Sequence, residues 1–129
     1  MSVSTWPSGV GAITLFVDDL DASREFYRLV FGLEPVFVDA TSAAFRLPNT
    51  VINLLAVGAA DELIAPAEVG QAGTRSRVQL TVEVDDVDAT IAVLAERGVE
   101  LLNGPMDRPW GVRTASFRDP SGHIWELGS

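Results

Sequence analysis

The segment Val84-Asp85-Asp86-Val87-Asp88-Ala89 repeats an earlier one, Val17-Asp18-Asp19-Leu20-Asp21-Ala22, which lies 67 positions before it. Each copy follows a stretch in which apolar residues alternate with other residues. Each copy is also followed by a helical pattern that ends at a glycine, Gly32 or Gly98. A strand, an acidic turn and a helix that occur twice in a short chain indicate two similar halves packed together.

The length and composition predict one domain, residues 1–129, because 129 residues with 47% hydrophobic character are enough for one core. The net charge of -9 argues against nucleic acid or an anionic membrane as a partner. It suits a cationic ligand, although solubility alone also explains an acidic chain. The absence of cysteine excludes disulfides and thiolate sites. The N-terminus does not have the build of a signal peptide, so a cytoplasmic location is expected.

The first half, about residues 12–57, is predicted to contain a strand, a helix and three further strands. The pattern predicts a strand over 12–17, a helix over 20–31, and strands over 35–38, 43–47 and 51–57. Asp18 or Asp19 is expected to cap the helix, and Gly32 suits its left-handed C-terminal position. Residues 58–77, which include Gly73 and Thr74, are predicted to connect the halves, with a short helical piece near Glu62.

The second half, about residues 78–127, repeats this order. Strands are predicted over 78–84, 99–102, 112–118 and 123–127, with a helix over 87–97 after the first of them. Asp119-Pro120-Ser121-Gly122 fits a type I turn, with Asp first, Pro second and Gly fourth. The fold class is therefore α+β, with strand, helix and three strands in each half.

These features resemble those of the vicinal oxygen chelate superfamily, which includes glyoxalase I, extradiol dioxygenases, fosfomycin-resistance enzymes and bleomycin-resistance proteins. The resemblance runs from Ala12 to Leu127. Its residues are the doubled Val-Asp-Asp segment, Phe26-Tyr27, Phe31-Gly32-Leu33, the stretch from Phe117 to Gly122, and Trp125-Glu126-Leu127. It implies two βαβββ modules that form a curled, mixed eight-stranded sheet around a ligand cleft. It also implies a homodimer, since many members build their clefts between subunits.

Metal-using relatives hold one divalent ion with four side chains on the cleft face. The matching positions of this chain are occupied by Ala12, Asn53, Gln79 and Glu126. Alanine cannot ligate, neutral amides are poor ligands for transition ions, and only Glu126 is a strong ligand. The sequence therefore predicts no bound metal and no cofactor. The single histidine, His123, lies three residues from Glu126 and is expected to point to the opposite face.

Strand parity selects the residues expected to contact a ligand. They are a set of apolar and hydrogen-bonding side chains typical of an organic-ligand pocket: Thr14, Phe16, Asn53, Gln79, Thr81 and Glu126, joined by Trp110 from a loop that precedes a strand. Glu126 is expected to meet a ligand amine or to act as a general base. An alternative is a structural ion pair between Glu126 and an arginine such as Arg113. Trp110 is a candidate to stack on a flat ligand, and the alternative is a packing residue or a dimer contact.

Three functions follow from these residues. The first is a metal-free small-molecule binding protein, akin to the antibiotic-sequestering relatives, with a cationic glycopeptide as one candidate ligand. The second is a lyase, isomerase or dioxygenase-like enzyme of the same superfamily that uses Glu126. The third is an accessory or regulatory domain with a vestigial cleft. The missing metal ligands and the acidic balance favour binding of a small organic ligand.

Overall fold

A computed structural model describes residues 9–71 and 75–129. Gly73 and Thr74 of the predicted connection lie outside these described residues. The elements in chain order are β1 (Ala12–Val17), α1 (Leu20–Phe31), β2 (Phe37–Val38), β3 (Ser42–Leu47), β4 (Thr50–Ala56), a 3₁₀ turn (Val57–Ala59), α2 (Asp61–Ile64), β5 (Gln79–Glu83), α3 (Val87–Glu96), β6 (Leu101–Asp107), β7 (Arg113–Arg118) and β8 (Ile124–Gly128).

The eight strands are divided between two open four-stranded sheets with the same internal order. The first sheet has the order β1-β4-β3-β2 and the second the order β5-β8-β7-β6. In each sheet the first strand of the module pairs in parallel with the last, and the other pairs are antiparallel. The predicted α+β architecture of two βαβββ modules is therefore confirmed.

The acidic turn of each module caps a helix, as the repeat predicts. The Asp19 carboxylate accepts a hydrogen bond from the Ala22 N–H at 3.0 Å, and Asp86 accepts one from the Ala89 N–H at the same distance. Each bond satisfies one of the N–H groups that a helix start leaves without an intrahelical partner. Gly32 then ends α1 in the left-handed conformation, with a φ of 66°. The repeated sequence segment thus fixes where both long helices begin.

Helix α1 packs against side chains of both sheets. The Tyr27 ring centroid lies 6.4 Å from that of Phe45 on the first sheet and 5.9 Å from that of Trp125 on the second. Phe31 is similarly placed, with ring centroids 5.9 Å from Phe45 and 5.6 Å from Trp125. One core cluster therefore contains residues of both modules. This packing occupies the inner face of each sheet and leaves the opposite face available for a site.

Several predicted strand bounds require correction. The second strand is only Phe37–Val38, and the sixth is Leu101–Asp107 rather than residues 99–102. The sixth strand continues past Gly104 because the register of its pairing with β7 shifts there, and a glycine with a φ of 86° accommodates the irregular backbone. The predicted helical piece near Glu62 is confirmed as α2. Of the helices in the described part of the chain, none is long and apolar enough to cross a membrane.

Candidate functional site

Each module carries a threonine opposite a polar side chain on neighbouring parallel strands. In the first sheet the Asn53 side-chain amide donates to the Thr14 hydroxyl at 3.4 Å. In the second sheet the Thr81 hydroxyl donates to the Glu126 carboxylate at 3.1 Å. The two pairs occupy matching positions of the two modules. Only the second pair contains an ionisable group.

Glu126 borders a cavity of about 600 Å³ on the second sheet, which we call the sheet cavity. Its polar and aromatic side chains come from the connection before β5, from β5, β6, β7 and β8, and from the loop between β6 and β7. The lining residues are Ser76, Arg77, Val78, Gln79, Leu102, Asn103, Arg108, Trp110, Ser116, Ile124 and Glu126. The volume falls within the range of pockets that bind small organic molecules.

A cation and an indole ring stand together at one side of the sheet cavity. The Arg108 side chain donates from Nε to the Thr114 hydroxyl at 2.9 Å, and its guanidinium carbon lies 6.0 Å from the centroid of the Trp110 ring. This separation permits a cation–π interaction. Trp110 is 71% exposed, so most of its ring surface remains available for contact with a ligand.

The suggested ion pair between Glu126 and Arg113 is wrong. The Arg113 guanidinium binds the Asp88 carboxylate, with Nε–Oδ2 at 2.7 Å, and also reaches Asp107, with Nη1–Oδ1 at 3.1 Å. Arg113 lies at the start of β7, and its register partner on the neighbouring strand β6 is Asp107. This pairing brings the guanidinium close to the Asp107 carboxylate. The Glu126 carboxylate therefore accepts a hydrogen bond from the Thr81 hydroxyl and forms no ion pair with an arginine among the described residues.

The predicted ligand-contacting residues are distributed over three places. Gln79, Trp110 and Glu126 line the sheet cavity, and Thr81 contacts it through its bond to Glu126. Phe16 lines a neighbouring cavity. Thr14 and Asn53 lie together on the first sheet and line neither of these two cavities.

Five polar residues of the sheet cavity are absent from the set predicted from sequence. They are Ser76, Arg77, Asn103, Arg108 and Ser116. Asn103 was missed because the sixth strand was expected to end at residue 102. Ser116 is the register partner of Glu126 on β7, so a correct pairing of the last two strands would have identified it. Arg108 stands two positions before Trp110, and its side chain contacts Thr114 six positions further along, across the connection between β6 and β7.

The side chains at the four metal-ligand positions do not fit a divalent transition ion. Ala12 offers no donor atom, and the Asn53 amide nitrogen points to Thr14. Gln79 offers a neutral amide, so Glu126 is the one anionic ligand of the set. Among residues 9–71 and 75–129, no three His, Asp or Glu side chains converge as a candidate metal group. Transition ions prefer imidazole, thiolate or carboxylate ligands, so this set is a poor match for them.

A buried hydrogen-bond network joins α1 of the first module to the β7–β8 turn of the second. The Tyr27 hydroxyl donates to the Asp119 carboxylate and accepts from the Trp125 indole N–H at 2.9 Å. Asp119 also contacts His123 Nδ1 at 2.8 Å, and its backbone carbonyl accepts from the Gly122 N–H at 3.0 Å. The latter bond closes the predicted turn. His123 is thus held at its place by a carboxylate that is itself fixed by the core.

The network shifts the acidity of two of its groups. Burial and the nearby Asp119 carboxylate raise the pKa of Tyr27 well above its usual value, so the phenol stays neutral. Burial alone would raise the pKa of the Asp119 carboxyl. The hydrogen bonds from His123 and Tyr27 outweigh burial and hold that pKa below its usual value, so Asp119 remains an anion.

The fold, the repeated modules and the face on which the sheet cavity lies define the class of this protein. Residues 9–127 match the family described as the Glyoxalase/Bleomycin resistance protein/Dioxygenase superfamily. The chain belongs to this superfamily. The resemblance to vicinal oxygen chelate proteins drawn from the sequence is therefore confirmed.

Individual relatives agree with this assignment. The uncharacterized protein YraH of Bacillus subtilis (strain 168) is 34% identical over 119 residues, which cover 89% of this chain and 93% of YraH. The anthracycline biosynthesis protein DauV of Streptomyces sp. (strain C5) is 33% identical over 90% of this chain, but the match spans 39% of DauV. The crystal structure of a glyoxalase-related enzyme from Fulvimarina pelagi has a TM-score of 0.81 and 29% identity, with 95% of this chain and 88% of that chain covered.

Proposed function

We propose that the protein binds a small organic molecule in the sheet cavity without a metal ion, in the manner of an antibiotic-sequestering protein. The observation that carries the proposal is the lining of that cavity, which combines a single carboxylate with amide, hydroxyl, guanidinium and indole groups. Such a mixture of an apolar surface and a few directed polar groups is typical of organic-ligand sites. The same mixture is a poor match for a divalent transition ion.

The proposed binding mode uses Glu126 and Trp110 on different parts of the ligand. The Glu126 carboxylate, fixed by Thr81, accepts hydrogen bonds from a ligand amine or ammonium. The exposed Trp110 ring stacks on a flat group of the same ligand. Gln79 and Asn103 supply further hydrogen bonds, since both line the cavity and are exposed. A cationic ligand is also favoured by the net charge of -9.

The superfamily description and one relative suggest probes for this proposal. The superfamily description includes bleomycin resistance protein, and DauV is described as an anthracycline biosynthesis protein. Bleomycin is a cationic glycopeptide, and an anthracycline combines a flat ring system with an amino sugar. Both probes therefore offer the amine and the flat surface that Glu126 and Trp110 are proposed to bind.

The test is a calorimetric titration with each probe, together with thermal unfolding in its presence. A probe at a concentration of about 100 times its Kd should stabilise the folded protein by about 2.7 kcal/mol. Glu126→Gln should weaken binding by about tenfold or more, because a charge-assisted hydrogen bond becomes a neutral one. Glu83→Gln is the matched control, since Glu83 is an exposed carboxylate of β5 outside the sheet cavity.

Two results would remove the proposal. One is the absence of any heat or thermal stabilisation with both probes. The other is a stoichiometric transition metal in the purified protein that is lost in Glu126→Gln, because this would make Glu126 a metal ligand. Equal losses of affinity in Glu126→Gln and Glu83→Gln would instead assign the binding to net charge.

A second candidate function is a lyase, isomerase or dioxygenase-like reaction in the same cavity. It is favoured by Glu126, whose carboxylate has one described hydrogen bond, from Thr81, and is partly exposed. A carboxylate in that position has an oxygen free to take a proton from a bound substrate. The two functions separate on one variant, since Glu126→Gln would abolish turnover of an enzyme while it leaves substrate affinity unchanged.

The proposal includes a homodimer in the cytoplasm that acts on no nucleic acid and no membrane. Val36, Phe37 and Val38 support the dimer, because they are adjacent and 60%, 53% and 46% exposed. Contiguous exposed apolar side chains are typical of interaction surfaces. Sedimentation equilibrium would test the dimer, and a monomer at micromolar concentration would contradict it.

A further inference from the structure

A second cavity lies next to the first sheet and to the chain that leads into β5. It has a volume of about 630 Å³, and we call it the linker cavity. Its walls come from β1, from the two described parts of the inter-module connection and from the turn before β8. The lining residues that could contact a ligand with charged, aromatic or apolar side chains include Phe16, Arg75, Arg77, Arg118, His123 and Ile124. It shares only Ser76, Arg77, Val78 and Ile124 with the sheet cavity.

Arginines are concentrated at the linker cavity although the chain as a whole is acidic. Arg75, Arg77 and Arg118 are three of the nine basic residues, and one carboxylate, Asp18, lines the cavity with them. None of the three arginines lies within ion-pair distance of a carboxylate in the part of the chain that the structure describes. Three guanidinium groups without partner carboxylates around one cavity produce a local positive potential.

An imidazole of defined orientation adds to these cations. His123 Nδ1 lies 2.8 Å from the buried Asp119 carboxylate, and the His123 side chain is 30% exposed at the edge of the linker cavity. Since Nδ1 is bound to Asp119, the other ring nitrogen, Nε2, is the one available to a ligand. The Asp119 contact therefore fixes the orientation of the His123 ring and leaves Nε2 as the nitrogen that a ligand can contact.

The remaining walls of the linker cavity are apolar. Phe16 contributes from β1, Val57 follows β4, Val78 precedes β5, and Ile124 begins β8. A ligand that consisted only of an inorganic anion would leave these side chains uncovered. An organic body attached to the anionic group would instead bury them, and burial of apolar surface stabilises a complex.

We propose that the linker cavity binds the oxyanion group, a phosphate or a carboxylate, of a small organic molecule whose apolar part contacts Phe16 and Ile124. The planar guanidinium forms paired hydrogen bonds with either kind of oxyanion. Arg77 contacts the anionic group from the connection and Arg118 contacts it from the end of β7. This site shares Arg77 with the sheet cavity, but it does not include Glu126 and requires no cation in its ligand.

The experiment titrates the tag-free, full-length protein with phenyl phosphate, benzoate and phenol. His123 is the only histidine, so the proton on its Cε1 gives one NMR signal that can be assigned without ambiguity and that reports on the cavity. Phenyl phosphate or benzoate should shift this signal in a saturable way, with a Kd at least about tenfold below that of neutral phenol. Which of the two anions binds more tightly identifies the oxyanion.

Arg118→Gln and Arg77→Gln are the test variants, and Arg46→Gln is the matched control. Arg46 is an exposed arginine of β3 outside the cavity, and the three changes alter the net charge equally. Each test variant should weaken anion binding by about tenfold, whereas the control should leave it unchanged. Equal weakening in all three variants, or binding of phenol as tight as that of both anions, would overturn the proposal. Glu126→Gln should not affect these titrations, so failure of the proposed function at Glu126 is distinguishable from failure here.

Discussion

The Tyr27 hydroxyl is predicted to hold the two modules together through the buried network. It donates to Asp119 and accepts from Trp125, so one oxygen atom connects α1 to both the β7–β8 turn and β8. Tyr27→Phe removes that oxygen and keeps the ring, which is fully buried. The change therefore tests the hydrogen bonds without creating a large cavity.

The magnitude follows from what each partner loses. The Trp125 indole N–H would be left buried without an acceptor, which costs about 1–3 kcal/mol. Asp119 would lose one donor but keep three, namely the Ser121 N–H, the His123 N–H and the His123 ring. A lost hydrogen bond to a charged group contributes about 1.5–3 kcal/mol, and the retained donors reduce this. We expect a total loss of about 3 kcal/mol, or a fall in Tm of about 10 °C for a chain of this size.

The assay is urea-induced unfolding, monitored by tryptophan fluorescence. Tyr27→Phe should lower the midpoint and leave the slope m unchanged, because the surface exposed on unfolding stays the same. Thr41→Val is the control, since the exposed Thr41 hydroxyl makes only a 3.4 Å contact with Asp39. This control should change the free energy of unfolding by less than about 0.5 kcal/mol. A loss below about 1 kcal/mol in Tyr27→Phe would refute the argument that its hydroxyl joins the modules.

Four further predictions follow from the same structure. The pKa of Asp119 is lowered in the folded state, so its stabilising contribution is present above about pH 4 and is lost as the pH falls through the lowered pKa. Urea midpoints should therefore fall less steeply below about pH 4 in Asp119→Asn than in the wild type. Because the pKa of Tyr27 is raised, its contribution is present below about pH 10 and lost above it; tyrosinate absorbance should appear only as the protein unfolds, and a reversible signal in the folded protein would contradict this. Gly104→Ala should destabilise by more than about 3 kcal/mol, because the new Cβ would lie 2.6 Å from a backbone oxygen. In Gly98→Ala the new Cβ meets no atom within 4 Å, so the change should cost about 1–2 kcal/mol for the left-handed φ alone. Equal midpoints of the two variants in thermal unfolding would refute the comparison. Arg113→Gln should change the urea midpoint only slightly and leave probe affinity at the sheet cavity unchanged, since its partner carboxylates are exposed. A calorimetric loss of affinity would place Arg113 in the site.

The scaffold was predictable because its signals are local. Asp19 and Asp86 each cap a helix by accepting a hydrogen bond from the backbone N–H three residues downstream. This interaction depends on a local spacing that one sequence is enough to display. The alternation of β5 places Gln79, Thr81 and Glu83 on the exposed side of that strand, as expected from parity alone. Strand parity and capping were therefore sufficient for the order of elements.

The site was less predictable because its geometry depends on long-range pairing. Ser116 reaches the sheet cavity through the register of β7 with β8, and Asn103 through a strand that is interrupted near Gly104. The contact between Asp119 and Tyr27 spans 92 positions, and no local pattern of either residue indicates it. The interaction partners of charged and polar side chains therefore could not be predicted from the sequence. Arg113 is an example, because its partners are Asp88 and Asp107 and not Glu126.

The difference between the two modules at one matched position has a chemical consequence for ligand binding. Thr14 with Asn53 and Thr81 with Glu126 stand at equivalent places in the two sheets, yet the first pair is neutral and the second carries a negative charge. An amide both donates and accepts hydrogen bonds, whereas a carboxylate only accepts them. A ligand that contacted both pairs would therefore have its donor-rich end directed to Glu126. The exchange of Asn53 for Glu126 at the matched position thus favours one orientation of such a ligand over the reverse.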